Sequence, residues 1–172
     1  MIVRPVAPTE VPALVALARR TYAEAFGADM APDDLRFIIA EKLTAAYFEQ
    51  AVREDVVLVA EEDGTSVGFV QLGDNRISEA GAPGDQEVRR LYVLADWQGR
   101  GVGGAMMKAA LAHPRVLPDA TVLLTVWEDN AQAQAFYRRY GFETVGACDL
   151  MLASDPADGR ELIMARRPAY NP

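Results

Sequence analysis

Trp97-Gln98-Gly99-Arg100-Gly101-Val102-Gly103-Gly104 lies between an apolar segment ending near Val93 and an apolar, alanine-rich stretch beginning near Val102. Strand, glycine-rich turn and helix start, in that order, aim several backbone N–H groups at one point. A helix N-terminus carries unsatisfied donors and the positive end of the helix dipole, so such a turn is suited to a pyrophosphate. Glycines let the main chain take backbone angles that a side chain opposes and approach the phosphates closely. The stretch is not GxxxxGK[ST], because no Lys-Ser/Thr pair follows. It is also a poor GxGxxG, because Gly104 closes the motif in a different frame and no acidic ribose partner follows. Taken alone, the stretch also reads as a turn serving only chain reversal.

A second segment, Asn130-Ala131-Gln132-Ala133-Gln134-Ala135-Phe136-Tyr137-Arg138-Arg139-Tyr140-Gly141-Phe142, reads as a capped helix with a defined stop. Asn130 is a good N-cap, Ala131 to Arg139 are mostly good helix formers, and Gly141 ends the helix before an apolar strand starts at Phe142. Ala133, Phe136, Tyr137 and Tyr140 recur at helical spacing, which assigns Phe136 to the core.

Composition narrows the function classes. A chain of 172 residues suits one domain, 1–172, with a sizeable core. About half the residues are hydrophobic and a quarter charged, the balance of an ordinary globular protein. No apolar run approaches membrane-spanning length, and no basic-then-apolar leader pattern opens the sequence, so a cytoplasmic protein without a membrane partner is expected. The single cysteine, Cys148, excludes an internal disulfide and reads as a small apolar filler. The single histidine, His113, precedes Pro114 at a helix end and reads as a C-terminal helix charge. One Cys and one His do not furnish a zinc site or a Cys–His couple, so no metal is expected. The net charge of −8 argues against nucleic acid and favours a cationic small molecule.

Ile2 to Val6 reads as a first strand. Thr9 is placed as the cap of a helix whose apolar stripe is Val11, Leu14, Leu17, Ala18, Tyr22 and Ala25, with Pro12 in its first turn. A second helical region runs from about Pro32 to Arg53, with a break near Thr44. Val56–Ala60 and Val67–Leu72 flank Glu62-Asp63-Gly64-Thr65 as a β-hairpin. A polar loop from Gly73 to Gly84 leads to a strand from Glu87 to Val93. Thr121 to Val126, nearly all apolar, suits a central strand. Two final strands are expected around Phe142–Val145 and Leu162–Ala165.

Read as Gln-x-x-Gly-x-Gly, the first stretch resembles the acetyl-coenzyme A loop of the GNAT superfamily of N-acetyltransferases. The second resembles that superfamily's Asn-x-x-Ala-x-x-Phe-Tyr-x-x-x-Gly-Phe signature, and the likeness extends over essentially the whole chain. The resemblance implies a single-domain α/β GNAT fold, with a mixed, mostly antiparallel sheet of six to seven strands flanked by about four helices. Acetyl-CoA is then the co-substrate. Leu91, Tyr92 and Val93 would follow its pantetheine arm, and Gln98, Gly99, Arg100, Gly101, Val102, Gly103 and Gly104 would hold its pyrophosphate, with Asn130 and Ala133 nearby. Tyr137 would be the general acid beside the coenzyme sulfur, and the N–H of Val93 would polarise the thioester carbonyl. Glu87, eleven positions before Gln98, is where some members carry a base, with Tyr92 and Glu128 as second choices.

Within the superfamily the chain looks most like bacterial PaiA-type polyamine acetyltransferases. The cues are Glu87-Val88-Arg89-Arg90-Leu91-Tyr92-Val93, Val126-Trp127-Glu128-Asp129-Asn130, Thr21-Tyr22-Ala23-Glu24-Ala25-Phe26, and Val145-Gly146-Ala147 leading to Glu161-Leu162-Ile163-Met164. The implied acceptor is a small amine such as spermidine, met by Glu24, Tyr92, Trp127 and Glu128, with Asp149 a further acidic candidate. Residues 147–160 depart from that pattern where the acceptor would bind. A protein N-terminal or lysine acetyltransferase, and a non-catalytic acyl-CoA-binding module, remain alternatives on the same fold. The resemblance also implies a homodimer, paired through the terminal strands.

Overall fold

The computed structural model describes residues 1–28, 30–149 and 160–168. Among them are seven strands and five α-helices. The strands are β1 (Ile2–Pro5), β2 (Val56–Glu62), β3 (Thr65–Asp74), β4 (Gln86–Val93), β5 (Val122–Trp127), β6 (Glu143–Asp149) and β7 (Arg160–Arg166). The helices are α1 (Val11–Phe26), α2 (Pro32–Glu41), α3 (Ala45–Glu54), α4 (Val102–Leu111) and α5 (Ala131–Arg138). The seven strands form one sheet in the order β1-β2-β3-β4-β5-β7-β6. Every described pairing is antiparallel except β4 with β5, which run parallel at Gln86–Val122 and Glu87–Leu123. The chain divides into two compact units, Met1–Leu72 with Arg90–Leu111 and Gly73–Arg89 with Ala112–Pro172. No helix among the described residues is long and apolar enough to cross a membrane.

In the first unit, β2 and β3 are buried on both faces and read as continuous apolar runs. Side chains alternate along β3, so Phe69 and Gly68 face opposite sides of the sheet. Phe69 meets Phe48 of α3 at 5.9 Å between ring centroids. A Cβ placed on Gly68 would come within 3.0 Å of the Met106 methyl of α4 and 2.7 Å of the Tyr92 carbonyl oxygen, which reserves this position for glycine. The β2–β3 hairpin turns at Asp63-Gly64, both at positive φ, as a two-residue turn of the primed kind requires.

The region from Pro32 to Arg53 is two helices. The first ends at Glu41 with Lys42 as its C-cap, and Thr44 caps the second, accepting the N–H of Tyr47 at 3.1 Å. That break accounts for five helices rather than about four. Thr9 does not cap α1: the N-cap is Glu10, whose carboxylate instead accepts the N–H of Ala7 and pairs with Arg4. Those contacts draw the Glu10 carboxyl down to about 2. Ala25 is exposed, and Val15 joins the buried stripe of α1 in its place.

In the second unit, β7 sits between β5 and β6, with Ile163 and Met164 fully buried. One face of the unit carries the apolar cluster Leu123, Ile163 and Ala165, covered by Ile77 and Ala80 from the 75–85 loop and flanked by Cys148. β6 slips register between Thr144 and Gly146, which leaves Val145 exposed. His113 accepts the N–H of Arg115 through Nδ1 and so closes a turn after α4.

Candidate active site

In the first unit, the end of β4 turns through a short 3-10 segment, Ala95–Trp97, and the glycine loop into α4. The amides along the way are engaged: Leu94 donates to the Val67 carbonyl, Trp97 to Leu94 and Gln98 to Ala95. The N–H of Ala95 donates to the Glu24 carboxylate of α1 at 2.8 Å. That bond, helped by Arg20, holds the Glu24 carboxyl below the usual carboxylate range. The Gln98 side chain donates to the Val93 carbonyl at 3.2 Å and so straps the loop to the strand it leaves.

Gly99 and Gly101 have φ of 73° and 85°. A Cβ at either meets nothing within 4 Å, so the loop needs glycine there for backbone angle and not for space. The first helical bond of α4 runs from Ala105 N–H to the Gly101 carbonyl. The amides of Val102, Gly103 and Gly104 therefore form the donor-rich head of the helix, the geometry that receives an anion. Arg100 is exposed and its guanidinium lies 5.2 Å from the centroid of the Trp97 ring, a cation–π contact at the loop's rim.

Leu91, Tyr92 and Val93 are half-buried at the end of β4. The Tyr92 ring packs edge-on against Tyr22 and Phe26 and at a tilt against Phe69, with centroids 5.8 to 6.4 Å apart. Tyr92 is thereby part of an aromatic cluster of the first unit. Arg90 stacks over Tyr47 at 4.7 Å, a contact that the local sequence does not announce.

In the second unit, α5 starts as its sequence asks. Asn130 Oδ1 accepts the N–H of Ala133 at 2.9 Å, a cap worth about 1 kcal/mol. Gln134, the buried residue of α5, donates to the Glu128 carbonyl at 2.7 Å and ties the helix to the turn after β5. Phe136 is half-buried rather than core, edge-on to Tyr137 at 5.3 Å, tilted against Tyr140 at 5.0 Å and bordered by Arg139. Helical spacing gives shared faces, and here the face is only partly covered. Tyr137 is half-buried, with Phe142 edge-on at 6.0 Å, and its carbonyl accepts the N–H of Tyr140 and Phe142 around Gly141 at φ 84°.

Glu87 stands at the β4–β5 pair. Its carboxylate accepts the N–H of Arg76 at 3.0 Å and lies 3.6 Å from the guanidinium of Arg89. It thus anchors the 75–85 loop in addition to any role in proton transfer. Gln86, buried beside it, bridges Arg115 at 2.9 Å and Asp74 at 3.2 Å, and Arg115 with Gln86 keeps the Asp74 carboxyl low. Trp127 is half-buried and Glu128 exposed. Asp149 is exposed opposite Arg160 at the end of the β6–β7 ladder, and the divergent segment 150–159 lies outside the described residues.

The residue that sequence reading passed over is Glu161. It is directly opposite Trp127 on β5 and Cys148 on β6, so all three share a face. Burial pushes its carboxyl up, the Thr125 hydroxyl donating to it pulls down, and the nearby Glu87 charge raises it further. The signal was a lone acid heading the apolar run Leu162-Ile163-Met164, visible but without its neighbours. Cys148, in turn, is held protonated by burial and by the negative charges of Glu161, Glu79 and Asp149.

Comparison with known proteins agrees with these two structural motifs. The model of the acetyltransferase (GNAT) domain matches residues 53–144, from the end of α3 through β6's start, and so includes both the glycine loop and α5. An N-acetyltransferase of Mycobacterium bovis, itself uncharacterised, is 31% identical over 142 residues, 80% of this chain and 86% of that one. Among solved structures, a PaiA N-acetyltransferase of Thermoplasma acidophilum in complex with coenzyme A superposes with a TM-score of 0.76 at 19% identity, covering 96% of this chain and 98% of that chain. A ribosomal-protein-alanine N-acetyltransferase of Brucella melitensis gives 0.72 at 19% identity, covering 97% and 99%. The two structures share the fold under different acceptor names, so likeness at this level speaks for the fold alone. With the family model spanning the glycine loop and the tyrosine-bearing helix, the chain belongs to the GNAT family and is an acetyl-CoA-dependent N-acetyltransferase.

Proposed function

We propose that the acceptor is a small cationic primary amine, with a polyamine such as spermidine as the first choice. The observation that carries this reading is a pair of carboxylates, Glu87 and Glu161, on one face of the second unit and close enough for one charge to act on the other. An ammonium group placed there would relieve their repulsion. The overall charge of −8 works in the same direction at long range.

In this reading the amides of Val102, Gly103 and Gly104 hold the pyrophosphate of acetyl-CoA, and Arg100 adds charge at the rim. The thioester is already activated, so the chain has to orient it, stabilise an oxyanion and manage protons. The Val93 N–H serves the oxyanion, and the Tyr137 hydroxyl returns a proton to the departing thiolate. An alkylammonium of reference pKa about 10.4 must first lose a proton to a carboxylate.

The test is thiol release from acetyl-CoA across spermidine, spermine, amino acids, aminoglycosides and short peptides. Polyamines ahead of the panel support the proposal. Turnover confined to an alanine-led or lysine-bearing peptide replaces it with a protein acceptor. Coenzyme binding without turnover of any amine replaces it with an acyl-CoA-binding module.

A further inference from the structure

We infer that Glu161, and not Glu87, accepts the proton from the acceptor ammonium, with Glu87 supplying the second negative charge that draws the cation in. This rests on the cationic-amine reading above and names the residue that performs its first step.

Glu87 is engaged by the Arg76 N–H and by Arg89, two contacts that hold its orientation. Glu161 stands half-buried on β7. Its partner is the Thr125 hydroxyl, which stabilises the carboxylate without neutralising it. The groups that face it are Glu87 and Arg89 from β4, Thr125 and Trp127 from β5, and Cys148 from β6, with Asp149 and Glu79 adding negative charge around Cys148. Arg89 is the cation of this set, and its ion pair is with Glu87. A half-buried carboxyl in an acidic setting is a stronger base than a surface glutamate, as proton removal from an amine requires.

R–NH3+ gives one proton to the Glu161 carboxylate. The neutral amine attacks the thioester carbonyl carbon, a C–N bond forms, and the C–S bond breaks with its electron pair on sulfur. The second nitrogen proton leaves as the amide forms and is delivered to the thiolate, while protonated Glu161 returns its proton to water.

Wild type, Glu161→Gln and Glu161→Asp are compared with spermidine, and with the alanine-led peptide if the panel selects that acceptor. Glu161→Gln should lower kcat/KM about a hundred-fold, abolish the acidic limb of the pH profile and leave coenzyme A binding by calorimetry unchanged. Glu161→Asp should recover part of the rate. With trifluoroethylamine, largely neutral under assay conditions, the loss should shrink to a few-fold, which a merely structural role would not produce. An unchanged pH profile in Glu161→Gln, or equal losses with both amines, overturns the assignment. A panel headed by a neutral acceptor removes the cationic-amine reading separately, because the E161Q pH profile still reads the base.

A second readout is independent of turnover. A carboxyl with a raised pKa in the folded state favours the protonated fold, so its effect on stability is absent at low pH and becomes a penalty as pH rises through the raised value. Glu161→Gln should therefore raise Tm at neutral pH, and the gain should vanish below the ordinary glutamate range. A lower Tm at neutral pH overturns the electrostatic description.

Discussion

At the scale of single residues, chemistry and support are divided among side chains that resemble one another on paper. Glu24, a candidate for the acceptor, has a carboxylate that accepts the Ala95 N–H ahead of the glycine loop. Glu87 supports a loop through Arg76 and pairs with Arg89, whereas Glu161 carries a charge that burial opposes. Tyr137 differs from the neighbouring Phe136 by one hydroxyl. Tyr137→Phe keeps the ring that packs on Phe142 and removes the hydroxyl proposed as the proton donor. We expect kcat to fall about a hundred-fold with coenzyme affinity unchanged by calorimetry. A turnover equal to wild type across the pH range would take the general-acid role from this residue.

At the scale of elements, the loop and α5 were legible because their determinants are local. A cap, a glycine at positive φ and a helix start lie within a dozen residues, and the structure realises them at Gly99, Gly101, Asn130 and Gly141. What could not be read depends on distant neighbours. Glu161 owes its state to Glu87 and Thr125, both remote in sequence, and Phe136 is half-buried because covering is a tertiary property that periodicity does not encode. Thr9 lost the cap because Glu10 found partners in Arg4 and Ala7. The loop itself makes a prediction. Gly101→Val forces a β-branched residue into φ 85°, a strain of about 1–3 kcal/mol. Coenzyme binding should weaken at least ten-fold. Gly84→Val, at φ 95° with equally open surroundings, should lower Tm and spare binding. Equal binding in both variants would mean that the helix head does not receive the coenzyme.

At the scale of the whole molecule, net charge works on both substrates at once. A charge of −8 attracts a polyamine and repels the anionic coenzyme. Raising salt from low concentration to about 0.5 M should therefore lower kcat/KM for spermidine severalfold and leave or improve the KM of acetyl-CoA. Opposite trends would show that local contacts, and not the long-range field, control encounter. The proposed site accommodates this division, since the amides of Val102, Gly103 and Gly104 would hold the coenzyme through main-chain partial charges.

The placement of Cys148 has a practical consequence. Its thiol lies beside Glu161 and under the negative field of Glu79 and Asp149, so little of it is thiolate at neutral pH. Disulfide reagents react with thiolates, and anionic ones are turned away again by those same carboxylates. The sole sulfhydryl of the polypeptide should therefore react slowly with a colorimetric titrant, so that in such an assay the early yellow colour is expected to count released coenzyme A ahead of the enzyme.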